Sequence, residues 1–174
     1  MASIGHVAVG MACGRAYSDD PTTMRRAMLV FSGISLWPDL DYIGFVLGIP
    51  YADSLGHRGF THSLLLAGFV GLLAYVFAQR KGLPPTRTAV FTTIVAVSHP
   101  LLDTTTFGGG YGCALLWPFS DARFWSPVRL IPVAPLGLRL LSGRGMMVMG
   151  TELLLFAPFF LFALIPRKKK PKAS

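Results

Sequence analysis

Four histidines and several aspartates recur in short polar islands of an otherwise apolar chain. The islands are His6 near the start, Pro38-Asp39-Leu40-Asp41, His57-Arg58-Gly59-Phe60-Thr61-His62-Ser63, and Ser98-His99-Pro100-Leu101-Leu102-Asp103. Imidazole together with carboxylate suits zinc, manganese or iron, and paired aspartates are able to bridge two ions. His99 and Asp103 stand four apart, so on a helix both side chains reach one ion. His57 and His62 stand five apart and share a site easily only when His57 lies in the loop before a helix. The expected ligands are His6, Asp39, His57, His62, His99 and Asp103, holding one or two divalent transition ions, zinc first among them with manganese or iron as alternatives. Asp41 is expected as a bridging ligand or base, and Arg58 as the clamp for an anionic oxygen. Each residue alone also has a plain structural reading. A single histidine packs, Asp39 and Asp41 stop a helix, and Arg58 pairs with an aspartate.

Composition sets the environment for this cluster. With 174 residues, 52% hydrophobic and only 14% charged, the chain is too apolar for a soluble domain of its length. Insertion of an ionisable residue at a bilayer centre costs about 2.5–3.5 kcal/mol, so a group of them needs paired charges or a metal. The formal charge of +8 suggests nucleic acid until it is located: Arg167, Lys168, Lys169, Lys170 and Lys172 all lie in the last eight positions. Without that tail, 11 basic residues face 8 acidic ones, and no basic face for nucleic acid remains. Residues 167–174 read instead as a basic cytoplasmic tail. Cys13 and Cys113 form no CxxC pair and no disulfide framework. The N-terminal segment has no basic residue ahead of it and is broken by His6 and glycine, unlike a cleaved signal peptide.

The elements that must position the islands are helical. A short helix is expected over Ile4 to about Tyr17, with His6, Gly10 and Gly14 on one face so that a neighbour approaches closely. A second runs from Met24 to Trp37 and stops at Pro38. Tyr42 to Ile49 reads as a re-entrant or interfacial piece. A third helix, capped by Thr61 or Ser63, runs to about Gln79, and a fourth runs from Thr88 to the His99 island, where Pro100 makes the backbone irregular. Residues 107–144 form a long connection. Met146 to Ile165 is the cleanest transmembrane segment, with Glu152 as its exception. The expected fold is an all-α polytopic membrane bundle of about five membrane helices, with residues 1–166 as a single domain.

The positive-inside rule places Arg15, Arg25, Arg26, the Arg80 to Arg87 loop and the tail in the cytoplasm. Five crossings then put the N-terminus outside, and every His/Asp island falls at the outer level. Arg123, Arg129, Arg139 and Arg144 break the rule unless they serve a surface or an anionic ligand.

The early histidine, the Pro38–Asp41, His57–Ser63 and Ser98–Asp103 islands, and Leu115-Leu116-Trp117-Pro118-Phe119-Ser120 together resemble the YdjM-like family of membrane-bound metal-dependent hydrolases. The resemblance covers about residues 3 to 127. It implies a multi-helix protein of a bacterial inner membrane, a divalent metal and hydrolytic activity. The expected reaction is hydrolysis of a phosphoester, such as a membrane lipid head group, at the outer side. A non-enzymatic metal or lipid transporter that binds cargo at the same cluster is the alternative.

Overall fold

A computed structural model gives the structure of the chain, and residues 3–135 and 137–166 are described. The expected basic tail lies outside the described residues. The fold is helical, with α1 at Ile4–Tyr17, α2 at Pro21–Leu36, α3 at Ile43–Val46, α4 at Leu64–Arg80, α5 at Pro85–Thr104, α6 at Gly143–Leu155 and α7 at Ala157–Leu164. Strands β1 (Thr106–Phe107) and β2 (Ile131–Pro132) pair in parallel and tie the long connection to the end of α5.

Local chemistry explains the boundaries. Helix α2 starts three residues before the expected Met24, because Asp20 caps it by accepting from Thr23 N at 2.8 Å and Pro21 occupies a first-turn position that needs no N–H. Ser63, one of the two expected caps, accepts from Leu66 N and opens α4. Helix α5 starts at Pro85 rather than Thr88 and continues through Pro100 to Thr104. Proline there removes one backbone bond, yet the helix around it is mostly buried and packing holds it together. Between α2 and α4 lie a 3-10 turn at Trp37–Tyr42 and the four-residue α3, and the segment expected to be re-entrant or interfacial exposes Ile43, Val46 and Leu47.

Helices α1 and α2 form the tightest pair. A Cβ at Gly10 would lie 2.5 Å from Ser32 Cα, and one at Gly14 would lie 2.3 Å from Met28 N. Hydrogen at these positions is what lets the two backbones meet. Helix α5 packs against both, and α4 packs against α5. Tyr17, Phe31, Val95 and Phe91 fill the core at the end away from the histidines. There Tyr17 Oη and Thr88 Oγ1 lie 2.8 Å apart, and Arg87 donates to Ala16 O. The outer faces are apolar and exposed: Leu65, Phe69, Leu72, Leu73 and Phe77 on α4, and Leu153, Leu154, Leu161 and Leu164 on α6 and α7. Such a surface suits lipid rather than water.

The expected unbroken span from Met146 to Ile165 is broken. Phe156 leaves the helical register and Pro158 sits in the first turn of α7, so the chain bends by 58°. Glu152, fully buried, accepts from Gly5 N at 3.1 Å and anchors α6 on the first turn of α1. Arg15 donates to Ala163 O and anchors α7 on the last turn of α1. Two polar anchors at opposite ends of α1, with a proline between them, account for the bend. Among the described residues no single helix is long and apolar enough to cross a membrane, and α6 and α7 meet that test only as a bent pair.

The α1–α2 contact yields a stability test. Gly10→Ala and Gly14→Ala should each lower the thermal midpoint in detergent, corresponding to about 1–3 kcal/mol of overpacking. Gly33→Ala, whose added methyl meets nothing within 4 Å, should leave the midpoint unchanged or raise it. Equal tolerance at all three positions would refute the close approach.

Candidate metal centre

All four histidines meet at one end of the bundle. His6 comes from the first turn of α1, Asp39 and Asp41 from the turn after α2, His57, Arg58 and His62 from the segment before α4, and His99 and Asp103 from the last turns of α5. His6, His62 and His99 are fully buried, Asp103 is almost so, and the Asp39 side chain is 27% exposed.

Asp39, His62, His99 and Asp103 each offer one ligand atom, all within 4.8 Å of one another. His62 Nε2 lies 3.0 Å from His99 Nε2, 3.4 Å from Asp103 Oδ2 and 3.8 Å from Asp39 Oδ1. His99 Nε2 lies 3.4 Å from Asp39 Oδ1 and 4.0 Å from Asp103 Oδ2. Tetrahedral bonds of ~2.0–2.1 Å place donor atoms about 3.3–3.4 Å apart, so this set fits a divalent ion such as zinc.

Protonation makes the case sharper. His99 Nδ1 lies 2.6 Å from the Ser35 carbonyl, which only accepts, so Nδ1 carries the proton and Nε2 a lone pair. Thr61 Oγ1 gives its proton to Asp41 Oδ2 at 2.6 Å, so at 3.0 Å from His62 Nδ1 it accepts. His62 Nδ1 is therefore also protonated. Two Nε2 lone pairs then face each other at 3.0 Å, and a cation or an extra proton must lie between them. Burial alone would lower the His62 imidazole, yet Asp103 and Asp41 hold it above its ordinary value. The two carboxylates thus favour cationic charge at this point against the effect of burial.

Asp41 stands one step back. Its Oδ1 meets His57 Nδ1 at 2.6 Å, and its Oδ2 accepts from Arg58 N at 3.0 Å and from Thr61 and lies 3.3 Å from His62 Nδ1. Burial would raise its carboxyl, but the bonds from His57 and His62 hold it well below the usual carboxylate range. Asp41 thus orients two imidazoles at once, as carboxylates do behind metal-bound histidines. Asp39, Asp41 and His57 form a second set with ligand spacing, which shares Asp39 with the first.

His6 lies beside the first set. Its ring stacks on His99 at 3.9 Å, and its Nε2 lies 3.5 Å from Asp103 Oδ1. Neither ring nitrogen has an aligned hydrogen-bond partner among the described residues. Arg58 is 1% exposed, with Nε 3.2 Å from Asp103 Oδ2 and Nη1 donating to Thr106 Oγ1 and Tyr111 O, and its backbone takes a left-handed φ of 63°. A non-glycine residue in that region is strained, and here its N–H and side chain hold two different aspartates.

Arg123 was not among the residues expected at the site. Its guanidinium donates to the carbonyls of Ala52, Asp53, His57 and Gly112, and so fastens the segment carrying His57 to the long connection. Its only sequence signal was an arginine on the side where the charge rule expects few. Tight turns complete that segment: a Cβ at Gly59 would lie 2.1 Å from Ser54 O. Cys113 is fully buried in the same region.

Comparison with known proteins agrees with a membrane setting. The YdjM inner membrane protein family matches residues 1–169. The chain belongs to that family. It is also 40% identical over 157 residues to the inner membrane protein YbcI of Escherichia coli K12, a match covering 87% of each chain. Membership places this family member in the bacterial inner membrane. No solved structure matches the chain.

The outer layer can be tested directly. Asp41→Asn should weaken zinc binding about 10–100-fold while leaving all four nearest donor atoms in place. Competition with a chromogenic chelator measures this, and unchanged affinity would remove Asp41 from the site.

Proposed function

We propose that this family member is a polytopic inner-membrane hydrolase, a single domain over residues 1–166, that cleaves a phosphoester such as a lipid head group at the outer surface. The observation that carries the reading is the pair of facing His62 and His99 nitrogens closed in by Asp39 and Asp103. The Arg58 guanidinium ion-pairs with Asp103 while imidazoles meet Asp39 and Asp41, a mixed His/carboxylate donor set that suits a divalent ion. A divalent ion held by this set would supply Lewis acidity and activate water near neutral pH.

The remaining roles belong to the chain itself. Asp41 and the Ser35 carbonyl hold His62 and His99 with their Nε2 atoms turned inward. A second ion would be held by Asp39, Asp41 and His57, with Asp41 as its bridging ligand or as the base. His6 stands as a reserve donor beside Asp103. Arg58 supplies positive charge behind Asp103 and, as the anion clamp, would favour oxygens that gain charge in the transition state. Asp39 is also the most exposed of the four nearest donors, so substrate would approach from the turn after α2.

Metal analysis and turnover test this together. Purified protein should carry one or two equivalents of a transition metal, and His62→Ala and His99→Ala should each lower the content. Arg58→Lys should retain metal but lose roughly 10²-fold in turnover on a phosphodiester or short-chain phospholipid. If the wild type hydrolyses nothing in a broad ester and phosphoester panel while metal or lipid crosses proteoliposomes containing it, the cluster is a transport site.

The orientation has its own test. Buried Cys113 is no probe, whereas Ala122 on the same connection is exposed. Ala122→Cys in a Cys13→Ala background should react with an impermeant maleimide in intact spheroplasts. Reaction only after lysis would reverse the topology.

A further inference from the structure

Residues 107–144 carry four arginines on the side where the charge rule expects few. Two have structural work: Arg123 holds four carbonyls, and Arg129 lies over the Trp125 ring at 5.1 Å. Arg139 and Arg144 differ. Both are exposed, and among the described residues neither forms an ion pair; Arg144 donates to Gly108 O at 3.3 Å. Together with Gly108, Val133, Ala134 and Pro135 they line a pocket of about 440 Å³. Among the described residues no carboxylate lines it. The grooves between α4 and α5 and between α2 and α4, by contrast, are lined almost wholly by apolar side chains.

Exposed apolar side chains flank both arginines in the chain. Leu138, Leu141, Met146 and Met147 are between 56% and 89% exposed, on the 3-10 turn 137–141 that carries Arg139 and on α6, which carries Arg144. Fixed positive charge set among exposed apolar side chains, in a membrane protein, matches a lipid with a negatively charged head and hydrocarbon tails. Guanidinium binds phosphate oxygens through a planar fork of donors. A zwitterionic head would bring an ammonium or choline cation that no carboxylate among the described residues of the pocket receives. Free phosphate would leave Leu138 and Leu141 unused.

We propose that Arg139 and Arg144 bind the phosphate of an anionic phospholipid whose chains lie against Leu138, Leu141, Met146 and Met147. The site shares no residue with the His/Asp cluster and does not depend on its chemistry. Its neighbourhood is nonetheless continuous with the cluster: Thr106, which receives Arg58, lies two residues before Gly108, and a Cβ at Gly137 would touch the Tyr42 hydroxyl. Lipid bound there would brace the connection that holds Arg58.

The test uses the full chain in a neutral detergent, titrated with dioleoyl phosphatidylglycerol or dioleoyl phosphatidylcholine and read by native mass spectrometry. Two arginines at a membrane surface should favour the anionic lipid about tenfold or more. Arg139→Gln, at an exposed position with no ion pair among the described residues to lose, should reduce that preference, and Arg139→Gln/Arg144→Gln should abolish it. Arg129→Gln should leave it intact, and metal content and elution volume should not change in any variant. Persistence of the preference in the double variant would overturn the proposal, as would equal binding of the two lipids by the wild type. Complete displacement of phosphatidylglycerol by millimolar inorganic phosphate would overturn it too, marking a site for the free anion.

Discussion

Three carboxylates gathered at one end of an apolar bundle govern much of what this structure must do. The side chains of Asp41 and Asp103 are about 1% exposed and that of Asp39 only partly open, and the Arg58 guanidinium ion-pairs with Asp103. Uncompensated charge is too costly to bury, so cationic partners must meet it, among them the Arg58 guanidinium on Asp103, protonated imidazole or a metal. The facing nitrogens of His62 and His99 mark where that charge sits. Every segment near the site is shaped to hold the carboxylates against this point. The strained backbone at Arg58 places its N–H on Asp41 and its side chain on Asp103.

Such a centre requires four chain segments to end at one level, and the bundle provides it by close packing. Glycines at positions 10 and 14 bring α1 against α2, which sets His6 beside His99. Ser35, near the end of α2, offers its carbonyl to His99 on α5. A shift of α2 along α1 would therefore move a bond that fixes an imidazole tautomer. Packing in the apolar part and geometry in the polar part are one constraint.

Much of this was legible in the chain because helices announce themselves through short-range chemistry. The Ser63 cap and the stop at Pro38 follow from side chains acting on their own backbone. What the sequence did not disclose depends on distant partners. The break at Phe156 reflects Glu152 reaching the start of α1 and Arg15, at the other end of α1, reaching Ala163 on α7, and no local pattern distinguishes that from a straight span. Continuity of α5 through Pro100 depends likewise on burial by neighbours. Arg123 binds only backbone carbonyls, which have no sequence signature.

The site residues show the same division. Clustering of histidine and aspartate was readable, because polar islands are rare in so apolar a chain. Their ranking was not. Asp39 and Asp41 are two residues apart on one turn, yet Asp39 faces His62 and His99 nitrogens directly while Asp41 faces the protonated sides of His57 and His62. A 3-10 turn separates them in direction where a strand or a helix would have set them differently. The same two-residue spacing thus yields one donor beside the imidazole lone pairs and one carboxylate behind the rings, an assignment made by the backbone and not by residue type.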